Sequence, residues 1–181
     1  MWAAVDFVPV EMAMPSLEKF FDEFRPLYSN GRVKYSAFKI PDHPILNWYG
    51  SRNQFHECGF FEYFWLCQWP KSFFPDKLLE LNLFDPNIFC FCSPFLLGGS
   101  LAWALSNGGA YHKFARGGVE AKRLGEDAAL ELLGGSYDEP MAYQCGIAWS
   151  KFFHNVAWDH TYVVIDKRHQ LIHALLSTDT D

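Results

Sequence analysis

The residues best able to do chemistry in this chain are its five cysteines and seven histidines. Cys90 and Cys92 form a C-x-C pair, and their side chains point to the same face if the segment is a strand. Phenylalanines surround the pair, and neither a C-x-x-C nor an H-E-x-x-H spacing accompanies it. This context is typical of small buried apolar residues. We therefore predict no metal site and no cofactor.

A thiol nucleophile is a second chemistry that the residue types allow. Cys58 or Cys145 could be the nucleophile, His154 or His160 the base, and Asp159 the orienting acid. No G-x-S-x-G elbow or comparable local motif supports one particular set. A hydrolase or transferase with a Cys/His/Asp site therefore stays as an alternative function.

The glycine pair Gly98-Gly99, followed by Ser100, lies near the start of a predicted helix, where backbone N–H groups can hold an anion. Neither the Lys-Ser/Thr pair of a phosphate-binding loop nor a G-x-G-x-x-G spacing is present. The pair favours close packing of the helix rather than phosphate binding.

The end of the chain, AWDHTYVVIDKRHQLIHALLSTDTD, predicts a β-hairpin. Residues 161–165 and 171–176 are apolar runs, and the polar residues 166–170 between them are suited to a turn. Alternation places Trp158, His160 and Tyr162 on one face of the hairpin. That face is either a binding surface bordered by acids or a surface that a helix covers.

Aromatic anchors and nearby acids are the residues that we expect to contact a protein partner. The candidate partner-binding residues are Trp158, Asp159, His160, Asp166, Asp179 and Asp181, with Asp138 and Glu139 as secondary acids.

Apolar periodicity, together with capping and turn residues, predicts the helices and strands that position these residues. We predict helices at 16–25, with Ser16 as N-cap, at 99–107 and at 119–133. We predict strands at 32–40, within 55–69 and at 87–92, in addition to the hairpin. The whole chain, 1–181, is then one α+β domain with a mostly antiparallel sheet, a C-terminal β-hairpin and about three to four helices packed against it.

Composition narrows the function classes. The net charge of −6 argues against a nucleic-acid binder, which needs Lys and Arg to replace counterions. The chain has no uncharged apolar run of about 18 residues, so we expect no membrane span. The first residues carry no basic segment of the secretory kind, and the odd number of cysteines fits reduced thiols in the cytoplasm.

The aromatic content of 18% is high for a chain of this length. A core of this size rarely holds so many rings, so we expect some of them at the surface or in a groove. This observation supports a further alternative function, a small-molecule-binding domain with an aromatic pocket.

Three segments carry a resemblance to a known group of proteins: GGSLAWALSNGGAYHKF, EAKRLGEDAALELL and VAWDHTYVVIDKRHQLIHALLSTDTD, all within residues 98–181. The spacing W-D-x-T-x-V-x-I-D, with the ending T-D-T-D, is the most specific part. The chain resembles an uncharacterised bacterial family of small cytosolic proteins that are similar to immunity proteins of polymorphic and type VI secretion toxin systems. The resemblance implies a non-enzymatic protein that binds and neutralises one cognate toxin, with a basic toxin as the complement of an acidic chain.

Overall fold

The computed structural model describes residues 2, 5–73 and 85–181. The strands are β1 Pro9–Val10, β2 Arg32–Lys39, β3 Cys90–Cys92, β4 Met141–Cys145, β5 His160–Asp166 and β6 Leu171–Thr178. The α-helices are α1 Pro15–Phe24, α2 Pro44–Ser51, α3 Phe60–Leu66, α4 Gln68–Phe73, α5 Pro94–Asn107 and α6 Gly117–Leu132. The predicted α+β class is confirmed.

The six strands form one antiparallel sheet in the order β1-β2-β6-β5-β4-β3. The predicted hairpin, β5–β6, is present and lies in the middle of this sheet. Leu175 pairs with Tyr35 of β2 on one side and with Tyr162 of β5 on the other. All eight residues of β6 are buried, as expected for a strand covered on both faces.

Helices cover both faces of the sheet and create two apolar cores. Val163 and Ile165 of β5 point into the first core, which contains residues of α2 and α3. Tyr162 and Val164 point into the second core, between the sheet and α1, α5 and α6. The face that the sequence assigned either to a binding surface or to a helix-covered surface is therefore covered along most of its length.

Helix α1 forms because Leu17, Phe20, Phe21 and Phe24 bury one face in the second core. The prediction of Ser16 as N-cap is wrong, because Pro15 begins the helix. A distant side chain replaces the local cap: Glu131 Oε2 accepts a hydrogen bond from the Leu17 N–H at 2.8 Å.

The strand predicted within 55–69 is also wrong. This segment contains a short 3₁₀ turn, then α3 and the start of α4. Gly59, at φ +70°, provides the left-handed turn between the 3₁₀ residues and α3. Phe60, Phe61, Phe64 and Trp65 then fall on one helical face and pack into the first core.

Most of the buried aromatic side chains in the described part of the chain lie in this first core. Phe7 makes edge-to-face contacts with Phe60 and Phe64, at ring-centroid distances of 5.8 and 5.2 Å, and Phe38 does the same with Phe64 at 5.4 Å. These four rings are fully buried. The rings fill the core in favourable pairwise geometries and do not line an open aromatic pocket there.

No helix in the described part of the chain combines the length and the apolar character needed to cross a membrane.

Candidate functional site

The eight predicted partner-binding residues lie at two opposite ends of the sheet. Asp159 and His160 are at the start of β5, whereas Asp166 is at its end. Seven strand residues separate the two ends by about 20 Å. Asp179 and Asp181 follow β6 at the first end, while Asp138 and Glu139 precede β4 at the second. The residues therefore do not form one surface.

The carboxylate of Asp159 is buried and organises the loop that enters β5. It accepts hydrogen bonds from the Thr178 hydroxyl at 2.6 Å, from Val156 N–H at 3.0 Å and from His154 N–H at 3.4 Å. Only 1% of Asp159 is exposed. Its hydrogen-bonding capacity is directed into the protein, so its contribution to partner binding stays a prediction.

Asp179 and Asp166 hold other loops in the same way. Asp179, fully buried, accepts from Asn30 N–H at 3.0 Å and from Ala110 N–H at 2.8 Å. Asp166, also buried, accepts from His169 N–H at 3.1 Å and lies 2.6 Å from His169 Nδ1, which closes the β5–β6 turn. These acids stabilise the hairpin ends from within.

The other predicted residues are more accessible. Asp138, Glu139 and Asp181 are exposed, and Trp158 and His160 are half-buried. Trp158 packs against the second core. Asp181 is exposed two residues after the buried Asp179.

A groove of about 550 Å³ opens between α5 and the adjoining ends of β4 and β5. We call it the α5 groove and define it by Ser100, Trp103, Gln144, Ile147, His160 and Tyr162. Among the residues that line the groove, His160 and Asp159 belong to the predicted partner-binding set. Ser100 and Trp103 lie three positions apart on α5, and this helical spacing was the only signal in the sequence that could have grouped them.

The floor of the α5 groove is polar and neutral. The Ser100 hydroxyl donates to Gln144 Oε1 at 2.9 Å, and the Tyr162 hydroxyl donates to the Ser100 carbonyl at 3.4 Å. Burial lowers the pKa of His160 to about 4 and raises the pKa of Tyr162 to about 12, so neither is charged near neutral pH. The His160 ring meets the Trp103 ring edge to face, with centroids 5.9 Å apart.

Three members of the alternative Cys/His/Asp set, Cys145, His160 and Asp159, line the same groove. The chemistry is nevertheless unfavourable. Burial raises the pKa of the Cys145 thiol, and the Asp159 carboxylate already accepts three hydrogen bonds from other groups. Burial also raises the pKa of Cys58 from 9.0 to about 11. Neither thiol is activated as a nucleophile.

We expect Cys90 to be the fast-reacting thiol of the folded protein. Cys90 is exposed, Cys92 and Cys145 are buried, and burial raises the pKa of Cys58 and Cys67 from 9.0 to about 11. The last shift lowers the thiolate fraction near neutral pH about a hundredfold. Iodoacetamide labelling followed by peptide mass spectrometry should show one fast site. The Cys90→Ser variant should lack that fast phase, and a fast phase that persisted in it would contradict the burial of the other thiols.

The buried side chain of His173 leads us to expect that the folded protein is less stable in acid. His173 is buried, its Nδ1 lies 2.9 Å from the Tyr35 hydroxyl, and burial lowers its pKa from 6.5 to about 4, partly opposed by Asp166 and assisted by His169. Below 6.5 the unfolded chain binds a proton that the folded chain does not. The free energy of unfolding should therefore fall by about 2 kcal/mol for this group between about pH 7 and pH 5.

Urea unfolding at several pH values measures this contribution. His173→Gln keeps a hydrogen-bond acceptor for Tyr35 but does not titrate, so it should remove the His173 share of the decline and leave the share of His160, whose pKa burial also lowers to about 4. His112→Gln, at an exposed histidine, should leave the profile unchanged. Equal profiles for the wild type and His173→Gln would show that His173 does not carry the effect.

Large apolar side chains are exposed around the α5 groove and the neighbouring sheet edge. We call four of them the apolar rim: Phe95 (64% exposed), Leu96 (64%), Trp103 (57%) and Ile147 (56%). Phe91 (62% exposed), on the edge strand β3, pairs with Tyr143 and contacts its ring, so it points to the face of the first core, opposite α5. Leu96 and Trp103 are seven residues apart on α5, which places them on one face of the helix. Trp103 and Ile147 both line the groove. No further strand lies beside β3 in the described residues.

Within residues 2, 5–73 and 85–181, no group of three or more His, Cys, Asp or Glu side chains is arranged to hold a metal ion. Comparison of the chain with protein-family models, curated proteins and solved structures finds no match.

Proposed function

We propose that this chain is a non-enzymatic protein-binding module, most concretely an immunity protein that binds and neutralises a cognate bacterial toxin in the cytoplasm. The apolar rim is the observation that carries the proposal. Exposed apolar side chains gathered at a groove are typical of protein interaction sites, where aromatic anchors supply most of the binding free energy.

Trp103 is the best candidate for the central contact. Its ring is mostly exposed, stands at the mouth of the α5 groove, and rests edge to face on His160. The neutral Ser100–Gln144 pair beneath it offers hydrogen bonds to an inserted side chain without a charge to desolvate. A rigid helix carries both Trp103 and Ser100, which limits the ordering cost of binding.

The charge of the chain supports a basic partner. The net charge of −6 favours fast association with a positively charged surface and makes the rate depend on salt. Toxins that act on nucleic acids are a class with such surfaces. The exposed acids Asp138, Glu139 and Asp181 are available for this long-range attraction, while the buried acids are not.

Because neither candidate thiol is activated, the hydrolase or transferase hypothesis has less support than the protein-binding hypothesis. A nucleophilic cysteine needs a lowered pKa or a neighbouring base, and burial raises the pKa of both candidate thiols. The packed first core likewise disfavours an aromatic ligand pocket as the main function.

The test begins with an affinity pull-down of the tagged protein from lysate of its native host at low and moderate salt, read by mass spectrometry. The partner is then expressed in a neutral host with and without this chain. We expect the partner alone to stop growth and co-expression of this chain to restore it. A captured partner that is harmless when expressed alone would overturn the immunity function.

A matched pair of variants locates the interface. Trp103→Ala should weaken binding to the partner at least about tenfold, as for an aromatic anchor. Trp48→Ala removes another exposed tryptophan, on α2 at the opposite face of the sheet, and should leave binding unchanged. Equal affinities of the two variants would remove the α5 groove from the interface while leaving the rescue experiment to judge the function itself.

A further inference from the structure

A second cavity, of about 450 Å³, lies on the opposite face of the sheet from the α5 groove, between α2 and the β5–β6 turn. We call it the α2 cavity. Its apolar wall contains Ile40, Leu46 and Phe55, which belong to the first core. The volume is within the range of small-molecule sites, which combine apolar walls with a few polar groups.

Two cations of the β5–β6 turn, Lys167 and Arg168, line this cavity. Lys167 Nζ donates to the Asn53 side-chain oxygen at 2.5 Å, and Arg168 Nη2 donates to the Gly134 carbonyl at 2.7 Å. Both acceptors are neutral, so they hold the side chains in place without cancelling their charge. Neither cation forms an ion pair with a carboxylate in the described part of the chain.

The turn that presents the two cations is fixed from within the protein. Asp166 accepts from His169 N–H at 3.1 Å and contacts the His169 ring, which closes the turn around Lys167 and Arg168. The carbonyl of Gln170, another lining residue, accepts from Ile40 N–H at 2.8 Å and ties the turn to the apolar wall. The cations and the wall are therefore held in one arrangement before any ligand arrives.

We propose that the α2 cavity binds a small organic monocarboxylate with an apolar body. The apolar wall would take the body, and Lys167 and Arg168 would take the carboxylate through charge-assisted hydrogen bonds. Among the described residues that line the cavity, Glu139 is the one acid, so the two cations leave one net positive charge there. That balance favours a monoanion over a phosphate dianion. The site is separate from the α5 groove and does not depend on the proposed function.

Hydrocinnamate, a phenyl ring joined by two methylene groups to a carboxylate, is the probe. Its amide tests the charge, and acetate tests the apolar body. In calorimetric titrations we expect saturable hydrocinnamate binding, at least about tenfold weaker binding of the amide, and no detectable binding of acetate. Equal binding of hydrocinnamate and its amide, or no hydrocinnamate binding up to about 10 mM, would overturn the proposal.

Variants assign the binding to the two cations. Lys167→Met combined with Arg168→Met should reduce hydrocinnamate affinity to that of the amide. Lys19→Met removes an exposed lysine of α1 and should change nothing. Hydrocinnamate affinity that is equal in the wild type and the double variant would overturn the assignment.

If the double variant does not fold, amide chemical shifts of the wild-type protein locate the hydrocinnamate site instead. Hydrocinnamate should perturb Gly50, Ser51 and Gln170, which line the α2 cavity, and leave Ser100 and Gln144 of the α5 groove unchanged. Perturbation centred on the α5 groove would contradict the proposal. Trp103→Ala should retain hydrocinnamate binding, so a failure here is distinguishable from a failure of the toxin-binding function.

Discussion

Replacing Asp179 with alanine is expected to lower the free energy of unfolding by about 3 kcal/mol, because two backbone N–H groups lose a buried charged acceptor. The carboxylate accepts from Asn30, before β2, and from Ala110, after α5. It thus joins loops that are far apart in the sequence to the end of the central strand. A Cβ at Gly109 would lie 2.2 Å from Asp179 Oδ2, which indicates how closely the loop approaches the carboxylate.

Asp181→Ala is the matched control, because Asp181 is an exposed acid two residues further on. It removes the same charge and should change stability by less than about 0.5 kcal/mol. Asp179→Asn separates charge from geometry: its amide keeps one acceptor oxygen but turns a donor toward the other N–H, so it should also destabilise. Urea unfolding measures all three. Equal midpoints for Asp179→Ala and Asp181→Ala would contradict a structural role for Asp179.

A structural role for Asp179 would also explain why the sequence suggested partner binding for acids that lie inside the protein. Asp159, Asp166 and Asp179 lie next to strand ends, where acids are usually solvated. Here each one accepts hydrogen bonds from loop N–H groups that the strands leave without partners. The N–H donors to Asp159 and Asp166 lie three to five residues away. Those to Asp179 lie 69 and 149 residues away, and no local pattern reveals them.

The sequence was sufficient to predict an element where its apolar residues follow one clear pattern. The apolar runs of β5 and β6 and the polar turn between them predicted the hairpin, and the apolar stripe of α6 predicted that helix. The segment 55–69 is apolar on nearly all sides, so neither period stands out. Its helices follow from the surrounding core, which buries Phe60, Phe64 and Trp65 of α3.

The α5 groove depended on information that the sequence does not contain. Ser100 and Gln144 are 44 residues apart, and they meet because α5 crosses the end of β4. The exposure of Trp103 could not be read from a helix that is apolar on most sides. Only the packing of α6 against α5 decides which face of α5 remains open.

The contact between α6 and α5 also makes the stability of the fold sensitive to Gly125 of α6. Gly125→Ala should lower the free energy of unfolding by roughly 3 kcal/mol. A Cβ there would lie 2.5 Å from the Gly98 carbonyl oxygen and 2.6 Å from Ala102 N, both backbone atoms of α5. Backbone cannot rotate away as a side chain can, so the two helices must separate and lose contacts.

Gly118→Ala in the same helix is the control, because no atom lies within 4 Å of a Cβ placed there. It gains helix propensity and should stabilise the fold by up to about 1 kcal/mol. The two substitutions are chemically identical, so opposite signs isolate the helix contact, and a neutral Gly125→Ala would contradict it. Because α5 carries Ser100 and Trp103, helix separation should also shift them relative to Gln144. Gly125→Ala protein that remains folded at low temperature should therefore bind its partner more weakly than Gly118→Ala protein does.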